Sequence, residues 1–427
     1  MGYNCSVMKI TVKNFGPIRE AKDISISPLT MFVGPSNTGK SYLAVATYAA
    51  FGSISRMLTT FYAMLPEEPR TKFSDMSPDI FVKRWTKGLR REWRNSVIYF
   101  LGEEGERIVK SRNLSVTVSS DDGTVIADLC QPQNSIVRGK RLNDMIDSEW
   151  PWFFANEFTT ALCDVPSREY YIPAIRGGVM QSYRAIADRS IQYASESDTA
   201  RANTGPMFSG VLGGFVRRLI EIDKVERGGK KIIAINKILE SNILHGRINV
   251  NFSQFGLPDF RYAMKGQRND MAINNVSASV AELAPLSVFM RYYLRPEDLL
   301  ILEEPETNLH PERQQNVADI MVRLVNAGVF VLATTHSDVV LAQIGNAYRA
   351  SQFKNPGKGK RLLGGDHESL DKRKELAVYS FVESSKGSKV EKIDFGHMTG
   401  AMTDDHLDAA RSLYNKTVRL VNGKNNE

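Results

Sequence analysis

Three short apolar runs in the chain each end abruptly in polar residues. Residues 29–33, LTMFV, read as a buried strand that stops at Gly34. Residues 299–302, LLIL, read as a second strand, closed by the twin carboxylates Glu303 and Glu304. Residues 329–334, VFVLAT, read as a third, closed by Thr335, His336 and Ser337. "YYIPA", beginning at Tyr170, is also strand-like. Between these runs the pattern turns helical. Residues 40–51, KSYLAVATYAAF, contain no breaker. In residues 79–100, Phe81, Trp85, Leu89 and Trp93 recur every four positions and form one apolar stripe, with Lys83, Lys87, Arg90, Arg91 and Arg94 beside it. A further helical block spans 205–245, broken at Gly228 and Gly229; its mixed charges suit a solvated face. Hairpin-like alternation is expected over 114–129. Strands turning at Lys386 and Gly387 are expected near the C-terminus, followed by a closing helix capped near Thr403 or Asp404 and a polar tail.

Composition narrows this picture slightly. The chain has 427 residues, 42% apolar and 24% charged, enough for two or three domains or one large domain with insertions. No apolar stretch of about 18 residues suggests a membrane span, and the N-terminal residues do not read as a signal peptide. Cys5, Cys130 and Cys163 show no metal-type spacing, which suits a reducing, cytoplasmic setting. The net charge of +7 is compatible with nucleic acid as a partner, and equally with a solvated basic surface. The basic flank of the 79–100 stripe reads in the same two ways, as a surface for nucleic acid or an acidic partner, or as the solvated side of a core-packed helix. The second is the simpler reading.

The candidate chemistry begins where the first strand ends. Gly34, Pro35, Ser36, Asn37, Thr38, Gly39, Lys40 and Ser41 fit G-x-x-x-x-G-K-[ST] between a strand and a helix. Glycines let the backbone turn so that several N–H groups converge on one anion. The helix that follows adds the positive end of its dipole. Lys40 can then reach the β- and γ-phosphates, and Ser41 can ligate Mg²⁺. The alternative is a plain glycine-rich turn. Glu303 can hold the metal, directly or through water, and Glu304 can orient or deprotonate an attacking water. The alternative for that pair is a surface acidic step opening a helix. His336, directly after a buried strand, can sense a γ-phosphate through its imidazole.

Together these segments resemble the ABC-type ATPase heads of the RecF, SMC and OLD kind, and in particular the stand-alone AAA-family ATPases of bacterial antiphage systems. The resemblance runs from "MKITVKNFGPIREAKDISISPLTMFVGPSNTGKS" through "YYIPAIRGG", "ILHGRINVN" and "NNVSASVAELAPLSVFMRYYLRPEDLLILEEPETNLHP" to "TTHSD". It implies an α/β fold, an ABC-ATPase head of the P-loop kind with a mixed, largely parallel sheet and a large, mainly helical insertion. It implies ATP and Mg²⁺ as cofactors, residues 34–41 with Tyr42 as the phosphate loop, Glu303 as metal ligand, and Glu304, His336 and Lys40 as catalytic. Asn308 and His310 would face a partner head. "SASVAEL" falls where the signature motif belongs, but Ala278 and Ser279 stand where the family has a serine-glycine pair. Ser277 or Ser279 would supply the signature hydroxyl, or simply cap a helix. Asn14 and Phe15 sit where such heads place nucleotide-facing residues, although Phe15 also suits a core. Gln181 aligns only loosely with a Q-loop. Arg176 is a candidate for phosphate or partner contact, its ordinary role being a surface salt bridge.

The expected organisation is a first part of the head over 1–50, a mainly helical insertion over 51–165, the rest of the head over 166–345, and closing strands and helix over 346–427. No acidic cluster is laid out like the nuclease domain of full OLD proteins. The resemblance further implies a homodimer or higher homo-oligomer through the heads and a separately encoded effector, leaves nucleic acid open, and implies no membrane.

Overall fold

The computed structural model of the chain describes residues 8–64, 78–111, 113–119, 125–130, 136–137, 140–141, 166–186, 210–222, 226–253, 256–364, 367–385 and 387–393. Strands β1 (Met8–Phe15) and β2 (Ile18–Ile26) form a hairpin that leads into β3 (Leu29–Val33). Helix α1 (Lys40–Met64) follows, then α2 (Pro78–Lys110), which kinks at Gly102. Next come β4 (Ser115–Ser119), β5 (Val125–Asp128), the paired two-residue strands β6 (Ile136–Val137) and β7 (Lys140–Arg141), and β8 (Glu169–Ile172). Helices α3 (Arg176–Gln181), α4 (Gly210–Ile220) and α5 (Lys230–Ile238) lead through a π-helical segment (Leu239–Leu244) to a three-stranded antiparallel sheet of β9 (Gly246–Phe252), β10 (Pro258–Met264) and β11 (Met271–Ala272). The remaining described elements are α6 (Ala278–Tyr292), β12 (Leu299–Glu303), α7 (Pro311–Asn326), β13 (Phe330–Thr335), α8 (Asp338–Ser351), α9 (Pro356–Leu363), β14 (Leu376–Val382) and β15 (Ser388–Ile393).

Among the described residues, ten strands form one mixed sheet in the order β5-β4-β1-β2-β15-β14-β3-β13-β12-β8. From β14 to β8 every neighbour is parallel. Side chains alternate between the two faces. Met31, Leu300, Leu302 and Val331 join one core, packed by residues of α4 to α8. Phe32, Leu299, Ile301 and Leu332 join the other, packed by α1 and α2. β3 and β12 are buried at every position, as parallel strands covered on both faces must be. That is why they read as unbroken apolar runs. The fold is α/β.

The architecture departs from the sequence expectation in two places. Helix α1 runs across the boundary expected at residue 50. The expected hairpin forms, but β4 pairs antiparallel with β1 and so extends the main sheet, covering what would otherwise be an open edge. The segment 51–165 is therefore only partly a helical insertion. On α2, Leu89 and Trp93 are buried while Arg90 and Arg91 are exposed, so the stripe packs inward at those two positions and its basic flank faces outward, as both readings of that flank require. The side chains of Phe81 and Trp85 lie outside the described residues, as do the expected closing helix and tail.

Candidate functional site

At the end of β3 the chain leaves the sheet through Gly34, whose φ is 135° and where a Cβ would stand 2.7 Å from the Phe381 carbonyl oxygen. Only glycine fits such a position. The loop continues through half-buried Pro35, exposed Ser36, and Asn37 in left-handed backbone at φ 64°. Thr38 is buried and its hydroxyl donates to the Pro35 carbonyl at 2.8 Å. Gly39 has a φ of 98°. Lys40 then opens α1 and folds back over the loop. Its Nζ donates to the carbonyls of Gly34 at 2.8 Å and Pro35 at 2.6 Å. Burial lowers the ammonium to about 8, against the opposing pull of Glu304 and Glu306. Ser41 is exposed, and Tyr42 is half-buried, edge-on to Phe15. The first-turn amides of α1 have no intrahelical acceptor, which leaves them available to an anion in the loop.

Strand register brings the distant acids to this loop. β13 lies between β3 and β12, with Val33 opposite Thr335 and Glu303 opposite Thr334. Gly34, Glu304 and His336 thus leave the sheet at one edge, at the carboxyl ends of parallel strands. Glu303 is buried, and its Oε2 accepts from the Ala174 amide at 3.2 Å. Glu304 has a φ of 42°, an uncommon conformation for a residue with a Cβ. Its amide donates to the Thr334 carbonyl at 2.9 Å. Its carboxylate meets His336 Nε2 at 3.5 Å and accepts from the Thr307 hydroxyl at 3.3 Å. The histidine contact, ahead of Thr307 and Lys40, holds the Glu304 carboxyl below the usual carboxylate range.

Glu306 matters here beyond the residues the sequence assigns, and Arg176 takes a different role from the expected one. Glu306 turns inward, and its Oε1 accepts from the Thr335 hydroxyl at 2.8 Å and the His336 amide at 2.7 Å, fixing the backbone under the imidazole. Its Oε2 is buried with no hydrogen-bond partner among the described residues. The sequence signal was its place two residues after the twin carboxylates. Arg176 corrects its expectation. It is 1% exposed, so neither a surface salt bridge nor open to a phosphate or a partner. Its guanidinium donates to the carbonyls of Glu303 at 2.6 Å and Glu304 at 3.0 Å.

A second group adjoins the acids. Ser277 caps α6 through its backbone alone and is exposed. Ser279 donates to the Asn308 carbonyl at 3.1 Å. Asn308 is exposed at φ 56°, and its Nδ2 donates to Glu282 Oε1 at 2.9 Å. His310 is exposed at the start of α7. Asn14 and Phe15 differ in exposure. Phe15 is fully buried in the α1 core and has no surface to offer a nucleotide. Asn14 is exposed, with its amide donating to the Asn113 carbonyl at 2.8 Å. Gln181 is exposed at the end of α3. Among the described residues, no group of three or more His, Cys, Asp or Glu side chains is placed to hold a metal by itself, and no helix is long and apolar enough to cross a membrane.

Residues 198–341 match a family model described as AAA ATPase domain. The match spans α6, the twin carboxylates and His336; the loop at 34–41 lies outside it. No curated protein matches the chain. Among solved structures, an Smc head bound to the C-terminal winged-helix domain of ScpA is 12% identical, with a TM-score of 0.39, covering 91% of this chain and 98% of that one. An Smc head with an extended coiled coil, bound to the C-terminal domain of ScpA from Pyrococcus furiosus, is 13% identical at a TM-score of 0.39, covering 96% and 99%. The SMC head domain from Thermotoga maritima is 12% identical at a TM-score of 0.37, covering 91% and 99%. The α/β assignment stands on the sheet order and its two helical faces.

Proposed function

We propose that this chain binds ATP with Mg²⁺ and hydrolyses it. One observation carries the reading. The buried ammonium of Lys40, held over a glycine-bounded turn at the end of β3, is brought by strand register to the same sheet edge as Glu303 and Glu304, from a segment far away in the chain. The residues present fit a polyphosphate. A Cβ at Gly34 or Gly39 would meet Phe381 or Ile18 at under 3 Å, so the backbone can make the tight turn that faces an anion. A desolvated cation also gains from one. Ser41 and Glu303 are the groups that would hold Mg²⁺, which neutralises charge on the phosphate oxygens when bound.

The hydrolytic step follows from the side chains. Glu304, ionised near neutral pH, accepts the proton of a water whose oxygen attacks the γ-phosphorus while the bond to the β-phosphate oxygen breaks. His336, its amide fixed by Glu306, steadies the Glu304 carboxylate from the neighbouring strand end. Replacing Glu304 by Gln keeps the shape and removes the base. ATP affinity should persist while turnover falls by about 10²-fold or more. A Glu304→Gln chain with normal turnover would overturn the assignment.

The heads would pair symmetrically, with Ser277, Ser279, Asn308 and His310 of one copy completing the site of the other. The exposure of Ser277, Asn308 and His310 beside the acid pair supports this. ATP-dependent dimerisation of Glu304→Gln, measured by light scattering, tests it. The role we favour is a cytoplasmic sensor or regulatory subunit of an antiviral system, acting with a separately encoded effector; the sequence resemblance alone supports it. The second reading is a DNA-maintenance head, favoured by the net charge of +7 and by exposed Arg90 and Arg91 on α2. Salt-dependent duplex binding by the isolated chain would select the second reading.

A further inference from the structure

A guanidinium is buried at a cost unless its donors and its charge are both met. Arg176 meets its donors with main-chain carbonyls that bear on the proposed site, and its charge with a carboxylate. Its planar fork spans two consecutive carbonyls, those of Glu303 and Glu304, through Nη1 and Nη2. Its Nε donates to the Glu282 carbonyl at 3.0 Å. The Glu282 carboxylate supplies the counter-charge, with Oε2 3.3 Å from Nε at ion-pair distance but without hydrogen-bond geometry. Gly177 makes room for that carboxylate, since a Cβ there would stand 2.5 Å from Glu282 Oε1.

The same Glu282 Oε1 accepts the side-chain amide of Asn308. A continuous line of contacts therefore runs from an exposed residue inward. Asn308 holds Glu282, Glu282 pairs with Arg176, and Arg176 holds the two carbonyls that flank the left-handed backbone of Glu304. A residue at φ 42° depends on its surroundings to stay there; Arg176 holds the carbonyls on either side of it, as Thr334 holds its amide.

We propose that Arg176 is a positioning residue that couples the exposed Asn308 to the backbone of Glu304. Whatever engages the Asn308 side chain from outside competes with Glu282 for it. Releasing Glu282 loosens the guanidinium, and with it the direction in which the Glu304 carboxylate is held. The effect on hydrolysis rests on the ATPase reading above; the coupling itself does not.

Hydrogen exchange on the full chain without nucleotide tests the coupling directly. Asn308→Ala and Arg176→Lys should each speed exchange of the amides over 303–306 several-fold, and leave the first turns of α1 unchanged. The double variant should exchange no faster there than Arg176→Lys alone, because both changes cut one line of contacts. If Arg176→Lys does not fold, Glu282→Gln gives the same comparison. In the presence of ATP and Mg²⁺, Arg176→Lys should lower kcat with little change in KM. Faster exchange confined to 307–309 in Asn308→Ala, or additive effects in the double variant, would overturn the coupling. A wild-type chain that binds no ATP would overturn the ATPase reading and leave the exchange result to decide the coupling alone.

Discussion

His336 Nε2 stands 3.5 Å from Glu304 Oε1, across the gap between the ends of two neighbouring parallel strands. Helix α7 separates these residues in the chain, and the register of β12 with β13 brings them together. The contact keeps the carboxylate ionised at lower pH than a free one. Removing the imidazole lets the Glu304 carboxyl rise toward its ordinary value, so the basic form is lost sooner on acidification. His336→Ala should shift the acid limb of the kcat profile to higher pH. A pH–rate series on both chains measures this, and an unmoved limb would separate His336 from Glu304 function.

Lys40 has a second consequence, in stability. Its folded value of about 8 lies below the unfolded value of about 10.5, so the unfolded chain binds the extra proton between those limits. Stability from this group is therefore lowest below about pH 8 and rises toward pH 10.5. Relative to Lys40→Met, which cannot titrate, the wild-type chain should gain stability between those values. Paired melting curves without nucleotide at pH 7.5 and about pH 9.5 check the sign. A stability difference that stays constant would mean that the ammonium is not desolvated.

The turn at Gly34 also carries a structural cost that can be measured. A Cβ there meets the Phe381 carbonyl of the adjacent β14, and a φ of 135° strains any other residue. Gly34→Ala should destabilise the chain by about 1–3 kcal/mol and weaken nucleotide binding as well. Denaturant midpoints with and without ATP read both effects. Retention of both would deny that the loop depends on this turn.

On α2, Trp93 is 1% exposed, whereas Arg90 and Arg91 lie on the solvent side. Trp93→Ala should cost about 3–5 kcal/mol. Changing Arg90 and Arg91 to Ala should shift stability by within about 0.5 kcal/mol each. Urea unfolding distinguishes these outcomes. Equal effects would contradict the burial of Trp93.

Much of the site was legible because parallel strands covered on both faces are uninterrupted apolar runs. β3, β12 and β13 announce themselves, and the polar residues at their ends are the ones that converge. The rest depends on tertiary choices that leave no local mark. β4 alternates like any half-buried strand, and alternation does not say which edge it will extend. Phe15 ends β1 out of phase with the buried Met8, Ile10 and Val12, yet its side chain turns into the core. Arg176 precedes two glycines with no telling spacing, and only the fold shows that the carbonyls of Glu303 and Glu304, at and just past the end of β12, await it. Glu306 looks like one more acid after a conspicuous pair. It turns inward because the Thr335 hydroxyl and the His336 amide need an acceptor.

The central claim is that the loop at 34–41 and the acids at 303–306 form one site for a triphosphate. Calorimetric titration of ATP with Mg²⁺ into the wild-type chain and into Lys40→Ala tests it most directly. The account expects saturable binding at one site per chain and a loss of affinity of about tenfold or more in the variant. Absence of binding to the wild-type chain, or equal affinity in the two, would contradict it.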